Sequence, residues 1–412
     1  MFLKNKKMLL FSTTLILGCL PIFSSSKCFF TKNANEIKTI KIGFDGGNGG
    51  WDEKGQKEFL TILENKWKNL VSKEDKYSKI NPNVKFEFRV YNDKVLFTDL
   101  VSNKKQNVDI GFLPYSSFAY KFNTREKFEN LPLHFLCQTE TFRFIWDKEK
   151  TDVQYIDGTI SDPLRKLATE QNKVYFESGF GEFKNWTIDN PALKWDGGKY
   201  SVFYNTKDTT DTYKGVILIS GTDSQLEQIV KAWEEKKWEK FINFGIVHGS
   251  NTSGSKYKYQ VNLLSKHFNK PIKEIVEFLE DSNDKRHIKG KAKELLGISK
   301  DLDGKNIVAK NIAFESEGVF NWTKNPQMNY FNPTEQEAKI RVLTTTAVAP
   351  YSVLLGRSKM EELEKNILQD IFASLSFKEN TLGLYTGWNK FKSGGKEEFW
   401  KYIQMQNFIE NN

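Results

Sequence analysis

Four stretches of this 412-residue chain follow an apolar, strand-like run with residues suited to holding a negative charge: Asp45–Trp51 (DGGNGGW), Pro114–Ser117 (PYSS), His248–Ser255 (HGSNTSGS) and Thr344–Tyr351 (TTTAVAPY). Most precede a helical pattern. A helix that begins at such a point leaves about four backbone N–H groups unpaired and about half a unit of positive charge. Phosphate and carboxylate groups bind there. Within 248–255, Gly249 and Gly254 let the backbone approach an anion closely. Ser250, Thr252, Ser253 and Ser255 carry hydroxyl donors, Asn251 an amide donor, and His248 or Lys256 adds charge. Capping of the next helix accounts for any one of these loops taken alone; four of one kind point to a shared anionic ligand.

Catalysis fits less well. Ser253 beside His248 suggests a hydrolase, but Gly249 precedes Ser253 by four residues where the nucleophile elbow G-x-S-x-G needs two. Neither the four histidines (His134, His248, His267 and His287) nor the three cysteines have metal-ligand spacing. No P-loop or dinucleotide fingerprint occurs. The chain reads as a binder rather than an enzyme, with no cofactor and no metal site.

The elements that must position these loops are legible in outline. Ile37–Phe44 alternates as a strand, and Phe59, Leu60, Leu63, Trp67 and Leu70 follow at helical spacing. Val84–Val90 is a second strand, a short helix spans about 93–103, and Val108–Phe112 is a third strand. This β-α-β-α-β order predicts a parallel sheet with crossover helices. In such sheets ligands sit beyond the carboxyl ends of the strands. Ser161-Asp162-Pro163 predicts a helix start with Ser161 as cap, and Leu226, Ile229, Val230 and Trp233 mark another helix. The lysine-rich segment 270–311 reads as a solvated face, and Ile340–Leu343 as a strand leading into the Thr344–Tyr351 loop.

The N-terminus is an address rather than a fold element. MFLKNKK is basic, MLLFSTTLILG is apolar but too short to span a bilayer, and Ile16-Leu17-Gly18 precedes Cys19. That is the pattern of a lipoprotein signal with Cys19 as the lipidated residue; Cys28 follows Lys27 and fits less well. Residues 20–36, rich in Ser, Lys and Asn, read as a tether. Cleavage would remove Lys4, Lys6 and Lys7, so the net charge of +9 falls by three to +6. This excess is spread along the chain, whereas nucleic-acid binding needs a clustered basic face. It suits an anionic small molecule or a negative membrane surface. Aromatic residues, at 14%, leave rings for stacking on a ligand, although core filling is the plainer use of any single ring.

The runs YIDGTISDPLRKLA (155–168), WEEKKWEKFINFGIVHG (233–249) and IAFESEGVFNWT (312–323) resemble a mollicute surface lipoprotein family, the extracytoplasmic thiamine pyrophosphate-binding or high-affinity transport system proteins, over about 40–400. DIGFLPYSSFA (109–119) and SNTSGS (250–255) are similar to the phosphate-reading loops of phosphonate-type solute-binding proteins. The resemblance implies an α/β, two-lobed type II periplasmic-binding-protein-like fold that closes on its ligand by hinge motion. It implies a signal peptide at 1–18, a lipid-anchored tether at 19–36, a first lobe from 37–140 plus 340–412, and a second lobe from 141–339. Ser116 and Ser117 would grip a diphosphate against Thr252, Ser253 and Ser255, with His248, Asn251 and Gly254 beside them. Trp51, Tyr115, Trp322 and Tyr351 would offer rings to the thiazolium cation, and Glu317 or Asp45 would pair with that cation or the aminopyrimidine. The implied partners are an organophosphate, an ABC-type permease and the membrane, with the protein a monomer on the extracellular face. A phosphonate or sugar-phosphate receptor is the alternative ligand class; a surface adhesin or a phosphohydrolase is the alternative of another kind.

Overall fold

The structure, a computed structural model, describes residues 37–44, 51–102, 107–148, 153–187, 190–302, 305–324 and 329–411. Cys19, the proposed tether and Asp45 lie outside the described residues. In chain order the first lobe opens with β1 (Lys38–Phe44), α1 (Glu53–Lys73), β2 (Val84–Val90), α2 (Asp93–Val101), β3 (Ile110–Leu113), α3 (Arg125–Glu129) and β4 (Leu133–Phe144). The second follows with α4 (Pro163–Asn172), β5 (Tyr204–Thr210), β6 (Thr212–Gly221), α5 (Asp223–Glu234), α6 (Trp238–Ile242), β7 (Ile246–His248), α7 (Tyr259–Phe268), α8 (Ile272–Glu280) and β8 (His287–Lys289). Then come α9 (Ala292–Leu295), the hairpin β9 (Lys300–Leu302) and β10 (Lys305–Ile307), β11 (Ile312–Ser316) and β12 (Lys339–Pro350). The chain ends with β13 (Val353–Arg357), α10 (Glu362–Ala373), α11 (Thr381–Thr386), β14 (Lys390–Ser393) and α12 (Lys396–Asn411).

Two sheets form two lobes. The first has the order β14-β4-β13-β3-β1-β2, with β5 paired to the far end of β4; the second is β12-β6-β11-β7-β8. The expected parallel core is present: β1 pairs in parallel with both β2 and β3. α1 begins where Asp52 accepts from the Gly55 N–H at 2.7 Å, and it buries Phe59, Leu63, Trp67 and Val71 on the first sheet. Truncating Phe59 there would cost about 3–5 kcal/mol.

The lobes are joined where strands change sheet. β4 packs Leu136 and Cys137 into the first lobe's core and Phe142 and Phe144 into the second's. The chain passes from the first sheet to the second between Thr210 and Thr212, where β5 ends and β6 begins, and returns to the first sheet between Pro350 and Val353. The last crossing differs from the sequence expectation, which returned the chain to the first lobe at 340. Lys339–Pro350 instead pairs antiparallel with β6 in the second sheet. Thr344–Pro350 is therefore strand and not loop. β-branched threonines suit a buried strand when their hydroxyls find partners: Thr346 Oγ1 accepts from the Gly215 N–H at 2.8 Å, and Thr345 Oγ1 donates to the Leu164 carbonyl at 3.3 Å.

Helix α4 differs from expectation by one residue. Asp162 rather than Ser161 is the cap, accepting from the Leu164 N–H, with Pro163 in the first turn. α12 belongs to both lobes. Phe399, Tyr402 and Ile403 lie in the first lobe's core, while Ile409 packs on Tyr259 and Ala349 of the second.

Candidate functional site

A cavity of about 630 Å³ opens between the lobes. Thr141 of β4 with Thr386 and Gly387 at the end of α11 form one side, and Phe144, Tyr204, Tyr213, Tyr351 and residues within 315–323 form most of the other. Gly387 lies close to Trp322 across the cavity. Its φ is +79°, and a Cβ there would stand 3.2 Å from the Trp322 ring. A side chain would be strained in that backbone conformation and would press on the tryptophan.

The cavity has an aromatic middle. The rings of Tyr213 and Tyr351 lie 4.8 Å apart at 30°, and those of Tyr204 and Trp322 6.4 Å apart at 76°. Phe144 stacks on Trp146 at 4.4 Å. Burial pushes the Tyr351 phenol well above its ordinary range, and the negative charge of Glu317 adds to this. These rings meet the cavity as neutral, amphipathic surfaces suited to a flat ligand ring.

One rim is polar and basic. Lys256, Lys291, Lys293 and Ser316 line it. Ser316 Oγ is 2.7 Å from Ser255 Oγ, and Lys256 Nζ is 2.7 Å from Glu315. Lys256 belongs to a π-helical turn, Gly254–Lys258, that runs into α7; such turns re-aim side chains at functional sites. Gly254 is needed there because a Cβ would clash with the Tyr259 hydroxyl. Lys291 and Lys293 sit on either side of the α9 start, with Lys293 Nζ 4.1 Å from the Tyr330 ring centre. In the wall between rim and rings, Glu317 is buried. Its Oε1 accepts from Trp146 Nε1 at 3.0 Å and Gln171 Nε2 at 3.2 Å. Burial raises its carboxyl above the ordinary value against the lowering pull of Lys214.

Of the residues singled out from sequence, Lys256, Glu317, Trp322 and Tyr351 line this cavity together, and Ser255 is hydrogen-bonded to Ser316 of its rim. The loops 114–117 and 248–258 are brought together, but through a lysine: Lys258 Nζ donates to the Ser116 carbonyl at 3.0 Å and to Glu410 at 3.1 Å. Ser117 spends its hydroxyl on the Pro114 carbonyl at 2.8 Å. Asn251 and Thr252 are at an exposed tip, where Thr252 and Ser250 bond each other at 3.0 Å, and Ser253 precedes the π turn.

Three expectations are corrected by packing. Trp51 is buried among Phe44, Phe59 and Phe88, with ring centres 5.0–6.1 Å away. Tyr115 is fully buried and donates its hydroxyl to Gln138 at 2.8 Å. His248 is buried with Nε2 3.3 Å from His287 Nδ1, and desolvation lowers its pKa. Trp51 and Tyr115 turn into aromatic clusters of the first lobe, and His248 turns toward His287 and Tyr257.

Tyr204, Tyr213, Lys291, Lys293, Ser316, Thr141 and Thr386 were not singled out from sequence, though all line the cavity. Lys289, Lys291 and Lys293 alternate with small residues in KGKAK. In the structure Lys289 ends β8 while Lys291 and Lys293 lie at the start of α9, so that spacing did not reveal the shared rim. Tyr204 and Tyr213 gave no signal, since their position depends on strands that change sheet.

Comparison with known proteins places the chain in a family. The family described as CypI, extracytoplasmic thiamine-binding lipoprotein, matches residues 57–405. The high affinity transport system protein p37 of Mesomycoplasma hyorhinis is 32% identical over 347 residues, covering 82% of this chain and 80% of that protein. The solved structure of the Mycoplasma hyorhinis protein Mh-p37, for which thiamine pyrophosphate transport has been proposed, aligns with TM-score 0.73 at 29% identity, covering 89% of this chain and 98% of that one. A phosphonate-transporter binding protein of Pseudomonas aeruginosa aligns at TM-score 0.42 and 10% identity over 91% of this chain and 87% of that chain. The chain thus belongs to the extracytoplasmic thiamine-binding lipoprotein family, whose members are solute-binding components of transport.

Proposed function

We propose that this protein captures thiamine pyrophosphate, or a closely related organophosphate carrying a flat ring, in the cavity between its lobes and delivers it to a membrane importer. The observation that carries the reading is the joining, in one cavity of about 630 Å³, of an aromatic middle with a rim of three lysines and a serine. The diphosphate would lie at Lys256, Lys291, Lys293 and the Ser255–Ser316 pair. The ring system would lie against Tyr213, Tyr351 and Trp322. Cationic rings gain about 0.5–2 kcal/mol from such faces. In this reading Cys19 carries the lipid that holds the protein at the extracellular face, and the tether gives the lobes reach to the importer. A phosphonate or sugar phosphate would use the rim but leave the rings without a partner.

Titration calorimetry on protein refolded free of ligand tests the reading. One-to-one heat with thiamine pyrophosphate, accompanied by tryptophan quenching that is lost in Trp322→Phe, is expected. No heat with thiamine pyrophosphate, thiamine monophosphate or phosphonates would reject the whole class. Steady phosphate release would favour an enzyme instead.

A further inference from the structure

His248 and His287 form a chain of polar contacts outside the lining of the cavity. His248 Nδ1 is 2.9 Å from the Gly249 carbonyl oxygen, His248 Nε2 is 3.3 Å from His287 Nδ1, and His287 Nε2 is 2.9 Å from the Asp281 carbonyl oxygen. A carbonyl oxygen only accepts, so both outer contacts need an N–H, and the middle contact needs a third. Two neutral imidazoles carry two N–H groups between them. The neutral pair is therefore one proton short: either two bare ring nitrogens face each other, or a carbonyl lacks its donor. One added proton completes the chain. It belongs on His287, which is half-buried, whereas His248 is 2% exposed and burial lowers its pKa. A second proton would set N–H against N–H and charge against charge.

The charges around the pair are nearly balanced. Lys289 of β8 opposes a proton there, and Glu280 at the end of α8 favours it. Asp284 is held by Arg286 at 2.7 Å, which also meets Glu239 at 3.2 Å, and Lys256 of the π turn is held by Glu315. The Tyr257 ring, 5.4 Å from His248, is a neutral phenol that burial and Glu280 push above its ordinary range. The pair also stands at the root of the basic rim. The His248 carbonyl accepts from the Gly290 N–H at 2.9 Å, between Lys289 and Lys291, and the Gly249 N–H donates to the Lys256 carbonyl at 2.9 Å. The segments that bring Lys256 and Lys291 to the cavity are thus both tied at 248–249. The two rings add a further tie between β7 and β8, complete only with the extra proton.

We propose that His248 and His287 are a one-proton site that positions the lysine rim, so that capture of a phosphate-bearing ligand is coupled to uptake of a proton. The coupling rests on the organophosphate reading above and names a regulation of that site; the proton site itself does not depend on it. A phosphate at the rim draws the proton to the pair, and the proton adds positive charge beneath the rim and draws β7 and β8 together. By linkage each raises the affinity for the other. The protein is then the weaker binder at alkaline pH and the stronger as pH falls.

Two measurements on the full chain test this. Nitrogen NMR of the imidazole rings, without ligand, follows the pair from about pH 8 to about pH 5, where histidine changes charge. The expected result is uptake of one proton: His287 gains its second N–H while His248 keeps a bare Nε2. Independent charging of both rings, or of neither, would overturn the inference. Titration calorimetry with thiamine pyrophosphate then covers the same range, in buffers of different ionisation enthalpy. The ligand's own phosphate titrates there, so the quantity read is the difference between wild type and His287→Gln. Toward the acid end the wild type should gain about fivefold in affinity relative to the variant, and it should take up more of a proton on binding. Equal pH profiles in the two, the result of a purely structural pair, would overturn the coupling. If His287→Gln fails to fold, the wild-type ring signals decide: bound thiamine pyrophosphate should hold the proton on His287 to higher pH, and no such shift would overturn the coupling. A one-proton site with no heat from thiamine pyrophosphate at any pH would confirm the site and overturn the coupling together with the organophosphate reading.

Discussion

The turns 155–162 and 248–258 use the same residue types, Gly, Ser, Thr, Asp or Asn and a basic neighbour, and put them to opposite ends. In the first, the carboxylates are spent inside the turn and the remaining polar groups on buried side chains packed against it. Asp162 accepts from the N–H groups of Ile156, Asp157 and Gly158 at 2.8–2.9 Å and from Leu164 at 2.8 Å. Asp157 holds Thr159, the Gly158 carbonyl accepts from Trp233 Nε1 at 2.9 Å, and the Tyr155 hydroxyl is 3.1 Å from His267 Nδ1. In the second, the groups reach outward. Ser255 meets Ser316 behind the cavity rim, Lys256 meets Glu315, and Lys258 crosses to Ser116 and Glu410. A turn whose acceptors are saturated by its own amides is a fold element. A turn whose donors point at another element is available for a ligand.

The comparison breaks most easily at Asp162. Asp162→Ala removes four hydrogen bonds to a buried carboxylate and should cost about 4 kcal/mol in urea unfolding. The affinity of the molecules that remain folded should stay within about twofold. A large loss of affinity in that variant would erase the distinction between the two turns.

Acid should also act on the first turn. His267 is buried, stacked 3.6 Å from the Trp233 ring and pressed against Gly158, and desolvation lowers its pKa from 6.5 to about 4. The folded state holds it neutral, while the unfolded chain takes up a proton near pH 6.5. Its contribution is therefore fully present above pH 6.5 and is lost as pH falls toward 4, by about 3 kcal/mol in all. Unfolding free energy measured across that window should fall with this slope, and His267→Gln should flatten it.

Changes in the second turn should touch binding and spare stability. Replacing both Ser255 and Ser316 by alanine removes a hydroxyl pair at the rim. The expected result is an affinity loss of about tenfold by calorimetry and a stability change under about 1 kcal/mol. Thr252→Ala sharpens the point at the small end. Its hydroxyl bonds only within the exposed tip, so neither affinity nor stability should move by more than about 0.5 kcal/mol.

Much of the first lobe was legible because its signals are local. The alternation in 38–44 and 84–90 and the helical spacing from Phe59 to Trp67 gave the parallel β-α-β order directly. Thr344–Tyr351 misled because three threonines look like loop donors, whereas a strand of the second lobe satisfies them. The site was legible in part for the same reason. Trp51 and Trp322 both follow strand ends, and nothing near either in sequence says that Trp51 meets Phe44, Phe59 and Phe88 while Trp322 meets a cavity. Tyr213 and Lys293 face that cavity only because strands change sheet and a lysine-rich segment folds back to its rim.

The central claim is that one organophosphate lies between the lobes with its phosphates at the lysine rim and its ring among the tyrosines. A crystal structure of the protein grown with thiamine pyrophosphate tests it most directly. The account predicts density for the diphosphate within hydrogen-bond distance of Ser316 and one or more of Lys256, Lys291 and Lys293, with the ring stacked on Tyr213, Tyr351 or Trp322. Ligand density elsewhere on the molecule, or an empty cavity at saturating ligand, would contradict it.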